Sequence, residues 1–138
     1  MLRSCSKDEF YKLIDFAYAL ASDLTKSGYP TYCDGVKTKE MFVSRSLKAF
    51  DRETEQMLLF EQDGEILGLI HCYWFPEDRY LETCFFLTER ETQLALSEFL
   101  GYARGQFPGY DLYLGFPAEN RAAVEFLAGH GFECIEND

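Results

Sequence analysis

The chain lacks any apolar run near the roughly 20 residues that a membrane-spanning helix needs. Its first residues, Met1-Leu2-Arg3-Ser4-Cys5-Ser6-Lys7-Asp8, contain no apolar segment of the kind that begins a secretory signal. Histidine is scarce, with only His71 and His130. The five cysteines, Cys5, Cys33, Cys72, Cys84 and Cys134, are odd in number and include no C-x-x-C pair. Zinc favours closely spaced ligand pairs and a disulfide framework needs an even count, so neither is expected. Reduced thiols that pack as small hydrophobes in a cytoplasmic protein are the natural reading. Lysine disappears after Lys48: from residue 49 onward 18 acids face 5 arginines, a balance of −13 in a chain of net charge −11. Such a surface repels phosphate backbones and anionic lipid, which argues against nucleic-acid and membrane partners.

Aromatic bulk, by contrast, is plentiful, with 13 Phe and 9 Tyr among 138 residues of which 47% are hydrophobic. That length and composition suit one domain over residues 1–138 with a sizeable core. Leu2 to Cys5 reads as a short strand. Ser6-Lys7-Asp8-Glu9 fits a capping box, in which the serine hydroxyl accepts from one orphan N–H and the glutamate reaches back. Phe10, Leu13, Ile14, Ala17, Ala21 and Leu24 then recur at helical spacing, and Gly28 and Pro30 are expected to stop that helix. A second helix is expected over Lys39 to Phe50.

Three strands follow, Met57–Glu61, Ile66–Phe75 and Tyr80–Thr88, joined by short connections that impose antiparallel pairing. Asp63-Gly64 supplies the positive φ that a tight hairpin requires. Thr88 to Gln106 is expected to be a helix with Leu96, Phe99, Leu100, Ala103 and Phe107 on one stripe. Pro108-Gly109 breaks it, Tyr110 to Phe116 is a further strand, and Pro117 to Gly129 the last helix.

Near the end stands Asn120-Arg121-Ala122-Ala123-Val124-Glu125-Phe126-Leu127-Ala128-Gly129-His130-Gly131-Phe132. This resembles the N-x-x-A-x-x-(F/L)-Y-x-x-x-G-F segment of the GNAT superfamily of N-acetyltransferases. Asn120, Ala123, Phe126, Gly131 and Phe132 match in register, and the order of elements agrees. The resemblance implies an α+β, α/β/α layered fold, with a mixed, mainly antiparallel sheet and helices on both faces. It implies acetyl-CoA as cofactor if the chain is active, and a contact between Asn120 and the pantetheine arm. The plain physical alternative for Asn120 is a helix N-cap.

The sequence also departs from the family. The glycine loop (Q/R)-x-x-G-x-(G/A), which lets backbone N–H groups close on a pyrophosphate, is replaced by Phe86-Leu87-Thr88-Glu89-Arg90-Glu91-Thr92-Gln93-Leu94-Ala95. Thr88 and Glu91 are expected to form a capping box there. Glu89 and Glu91 favour the helix start through its dipole and repel phosphates. Leu87, Thr88, Arg90 and Asn120 remain the candidate cofactor contacts, with Arg90 more naturally a solvated surface charge.

The family's proton-donating tyrosine, seven residues after the asparagine, is Leu127 here, which cannot donate. Tyr113 is the candidate substitute. Glu82, a carboxylate among apolar Leu81 and Phe85, is the candidate general base, against the alternative of a solvent-facing sheet residue. His71 reads as a core or cleft residue and His130 as a helix C-terminal residue. Two further strands that the family carries after its last helix are shortened or missing. The 110–116 edge is therefore expected to meet a second GNAT lobe or a homodimer partner. The expectation is a GNAT-like domain degenerate for acetyl-CoA binding, serving as a structural or substrate-shaping lobe. The alternative is an active acetyl-CoA-dependent N-acetyltransferase acting on a small amine or cationic peptide.

Overall fold

In the computed structural model, the structure describes residues 1–26, 39–87, 89–116 and 120–135. The hairpin at Asp63-Gly64 forms as its residue types demand: Asp63 has φ 52° and Gly64 φ 82°. Two consecutive positive φ values match the right-handed twist of the flanking strands. Those strands are β2 (Glu55–Gln62) and β3 (Glu65–Phe75). They pair antiparallel, with an irregularity between Phe60 and Glu61. β4 (Tyr80–Leu87) pairs antiparallel with β3, and β1 (Leu2–Ser4) antiparallel with β2. β5 (Asp111–Gly115) joins β4 in parallel, so the sheet order is β1-β2-β3-β4-β5. At Gly68, opposite Leu87, a Cβ would lie 2.1 Å from the leucine side chain, so only glycine fits there.

Residues on a strand alternate between faces, and each face has its own core. On one, Met57, Leu59, Leu69, Cys84 and Phe86 pack with Phe10, Ala17 and Phe42. These last three come from α1 (Lys7–Lys12), α2 (Ile14–Lys26) and α3 (Lys39–Leu47). On the other, Leu58, Phe60, Ile70, Leu81, Phe85 and Leu87 pack with Ala95, Leu96, Phe99, Ala103 and Ala123. Those belong to α4 (Thr92–Gln106) and α5 (Arg121–Gly129). Each fully buried Phe or Leu contributes about 1.5–3 kcal/mol of transfer free energy. Helices thus cover both faces of the sheet, as expected.

The capping box at Ser6 is present in both directions. The first helical stretch differs from the expectation in being divided. The Leu13 N–H bonds to the Phe10 carbonyl at 2.9 Å, three residues back, and α1 ends there. Phe10 and Ala17, on either side of that turn, both reach the same core. The stop expected at Gly28 and Pro30 lies outside the described residues. α3 ends at Leu47 and passes into a 3-10 turn over Lys48–Asp51.

The helix expected from Thr88 also begins differently. A 3-10 turn covers Glu89–Glu91 and α4 starts at Thr92, with Glu91 as an N-cap whose side chain makes no capping bond. The Glu91 carboxylate accepts from Arg90 Nε at 2.9 Å. Thr88, the other half of the expected box, lies outside the described residues. Residues 132–135 form no strand, and 136–138 lie outside the description.

Candidate functional site

β4 and β5 form the parallel pair of the sheet, and their recorded register runs from Tyr80↔Asp111 to Cys84↔Gly115. β4 continues to Leu87. A helix follows each strand, so the N-termini of α4 and α5 both stand at the C-terminal ends of the parallel strands. That is the place where sheets of this kind bind ligands, because two positive helix ends meet an opening between strands.

Here that junction is filled by side chains. Asn120, 7% exposed, caps α5 by accepting from the Ala123 N–H at 3.1 Å. Its amide nitrogen donates to Thr92 Oγ1 at 3.1 Å. Thr92 is fully buried at the first turn of α4. One asparagine thereby ties the two helix starts together, with its carbonyl and its amino group each engaged. Leu87 is buried in the core beneath α4 and α5. Arg90 is 86% exposed and paired with Glu91. The candidate cofactor contacts are therefore an N-cap, a core residue and a surface ion pair, and Thr88 is not described.

The other candidates come together. Glu82 and Tyr113 are partners across β4 and β5. Tyr73 of β3 lies on the other side of Glu82 and donates its hydroxyl proton to Glu82 Oε2. Burial is the first reason the Tyr73 phenol titrates well above its ordinary range, and this bond is the second. Tyr113 is 45% exposed and meets Tyr80 edge-on, with ring centroids 5.3 Å apart. Phe75 stacks on Tyr80 at 4.4 Å. Glu82 thus faces a partly open aromatic cleft on the same sheet face as the α1–α3 core.

His71 sits deeper on that face, 3% exposed, with its ring 5.6 Å from that of Tyr73. Its Nε2 lies 3.6 Å from Glu55 Oε1 on β2. The neighbouring His71 imidazole is the leading reason the Glu55 carboxyl is held below the usual carboxylate range, with burial opposing. Sequence reasoning missed both Tyr73 and Glu55. The signal for Tyr73 was present in the alternation of His71, Tyr73 and Phe75 opposite Glu82. Glu55 carried none, because it precedes the apolar run that marks β2. His130 lies at the end of α5, stacked on Phe126, and its Nδ1 is 2.8 Å from the Phe126 carbonyl oxygen.

Among the described residues no cluster of His, Cys, Asp and Glu is placed to hold a metal. No described helix is long and apolar enough to cross a membrane.

A mostly antiparallel sheet that ends in one parallel pair, with both following helices starting at a shared junction, defines an α+β fold. No protein-family model and no curated relative matches the chain. Solved structures do. Spermidine N-acetyltransferase from Vibrio cholerae, in complex with CoA and spermine, superposes with TM-score 0.71 at 15% identity, covering 96% of this chain and 80% of that one. A GNAT-family acetyltransferase from Streptococcus pneumoniae gives TM-score 0.62 at 19% identity, over 96% and 83%. A predicted acetyltransferase with acetyl-CoA from Clostridium acetobutylicum gives 0.61 at 8%, over 99% and 91%. The chain has the fold of the GNAT N-acetyltransferases.

Proposed function

We propose that this chain is a GNAT-fold lobe that binds and shapes a cationic ligand at the Glu82 cleft and is degenerate for acetyl-CoA. The observation that carries the reading is the state of Asn120. Its carbonyl is engaged by the Ala123 N–H and its amide by Thr92, inside a buried junction. These bonds use one lone pair and one N–H of the amide, and at 7% exposed the group leaves a pantetheine amide little access to the others. The turn ahead of α4 adds to this: it has no glycine and carries the sequence Glu89-Arg90-Glu91. Backbone closure on a diphosphate is unavailable without glycine, and carboxylates repel it. Both features count against acetyl-CoA at this junction. The test is calorimetric titration with acetyl-CoA. No heat of binding is expected at micromolar concentrations, and saturable micromolar binding would remove the reading.

One observation favours a second reading, an active N-acetyltransferase for a small amine. Glu82 and Tyr113 lie side by side in register, a carboxylate able to take a proton from an ammonium group beside a phenol able to give one. Spermidine is a fitting probe, because a spermidine N-acetyltransferase shares the fold. Acetyl transfer to spermidine that is lost in Glu82→Gln would establish it.

The partner reading concerns the β5 edge. β5 is the last strand of the sheet among the described residues, and none of its residues is buried. A second lobe or a second copy of the chain at the 110–116 edge would cover it. The mass in solution, with and without Leu112→Lys, tests this; a monomer unaffected by the change argues against it.

A further inference from the structure

Glu82 is the centre of a patch of side chains that point to one face of the sheet. On β3 its neighbours are His71, Tyr73 and Phe75, and on β5 they are Asp111, Tyr113 and Gly115. On β4 itself they are Tyr80 and Cys84, two residues to either side. The rings touch one another in sequence. Tyr73 meets Phe75 edge-on at 5.9 Å, Phe75 stacks on Tyr80 at 4.4 Å, and Tyr80 meets Tyr113 edge-on at 5.3 Å. They form an arc around three sides of one carboxylate. On the fourth side β4 and β5 place Cys84 and Gly115, neither of which has a ring.

We infer that this arc selects an N-methylated ammonium head group, tertiary or quaternary, over a primary ammonium. The inference rests on the proposed reading of the cleft as a cation site and names the class of cation. Three features of the patch support it. The first is charge: a carboxylate lies at the floor of a chain of net charge −11. Tyr80 also feels the negative charges of Glu82 and Asp78, while the cation that acts on Tyr73 is Arg45 of α3.

The second feature is the count of acceptors. A primary ammonium carries three N–H donors and gives up strong hydration when it binds. One oxygen of Glu82 already accepts from the Tyr73 hydroxyl, so a primary ammonium would have to share that oxygen or reach the exposed Asp111 carboxylate to satisfy all three donors. A quaternary head group makes no such demand, and a tertiary one carries a single donor. The third feature is the rings. Tyr113 and Phe75 are 45% and 37% exposed, so apolar aromatic surface is open to methyl groups. Aromatic surroundings recognise such cations by attraction to the ring quadrupole together with burial of the methyl groups. A quaternary ammonium has no N–H to lose and cannot be acetylated, so the patch would act as a recognition site and not as a transfer site.

The experiment titrates the full chain separately with tetramethylammonium chloride and methylammonium chloride at matched ionic strength, followed by tyrosine ring NMR shifts. Tetramethylammonium is expected to bind roughly tenfold more tightly, about 1.4 kcal/mol, and to move Tyr73, Tyr80 and Tyr113 together. Tyr113→Ala, at an exposed position, should erase most of that margin while the thermal midpoint stays within a few degrees. Glu82→Gln should weaken both cations. Equal or tighter binding of methylammonium, no binding of either, or a margin unchanged in Tyr113→Ala would overturn the inference. Acetyl-CoA titration separates the two readings. Cofactor binding with the tetramethylammonium preference intact overturns only the degenerate reading. Loss of the preference without cofactor binding overturns only this inference.

Discussion

The two ends of β4 treat ligand space in opposite ways. Its first half, Tyr80 to Cys84, pairs with β5 and presents Tyr80 and Glu82 to a partly open cleft between Tyr73 and Tyr113. Its last three residues, Phe85, Phe86 and Leu87, are buried to within a few per cent. Phe85 is held between Phe99, edge-on at 5.3 Å, and Phe116, stacked at 4.6 Å. Beyond them, the two helix starts are joined by Asn120 and Thr92. One strand therefore supplies polar and aromatic recognition chemistry at one end and close packing at the other. The difference teaches that one strand can leave polar and aromatic side chains part-exposed at one end while its other end is given over to stability.

Four tests probe that contrast, beginning with the largest effect. Phe85→Ala removes a ring from between two others and should cost about 3–5 kcal/mol in urea unfolding. A loss under about 1 kcal/mol would mean that the apolar end of β4 is loosely packed and open to a ligand after all. Asn120→Ala should cost about 1–3 kcal/mol, because a cap is lost and buried Thr92 loses a donor. Asn120→Asp keeps an acceptor for the Ala123 N–H and should recover part of that loss. If Asn120→Ala leaves stability unchanged, the junction is not the structural tie described above.

The third test uses pH. His71 holds the Glu55 carboxyl below its ordinary value. A carboxyl depressed in the folded state stabilises fully above its unfolded value, about pH 4.3, and loses that contribution as pH falls through the lower folded value. The stability difference between the parent chain and Glu55→Gln should therefore be present at pH 5 to 6 and shrink as the solution is acidified. A difference independent of pH would show that the contact with His71 contributes little. The smallest effect is expected in the cleft. Glu82→Gln and Tyr113→Phe should each change stability by less than about 0.5 kcal/mol, read from thermal melts. A large change in either would mean that the cleft is a packed part of the fold, and the contrast along β4 would fail.

Several features were legible because their causes are local. The Ser6 capping box, the Asp63-Gly64 turn and the Asn120 cap each depend on residues within three positions of one another. The antiparallel β2, β3 and β4 followed from short connections and alternating apolar residues. The helix expected from Thr88 begins as a 3-10 turn over Glu89–Glu91 and becomes α-helical only at Thr92, a distinction that residue type does not carry. The break at Leu13 was invisible in a continuous helical pattern. In the cleft, Glu82 and Tyr113 stood out singly by residue type. Their adjacency needed the parallel register of β4 and β5, which no local signal specifies.

Taken alone, the sequence determined which segments become strands and helices, which faces of them are apolar, and that the anion-binding glycines are missing. Those properties arise from side-chain type and from periodicities of about 2 and 3.6 residues. Tertiary structure alone decided that Tyr73, Tyr80 and Tyr113 surround Glu82, that Glu55 meets His71, and that Asn120 reaches Thr92. Each of those contacts joins residues on different elements. Their closeness is set by strand register and by helix packing, which depend on the whole core rather than on any stretch of chain.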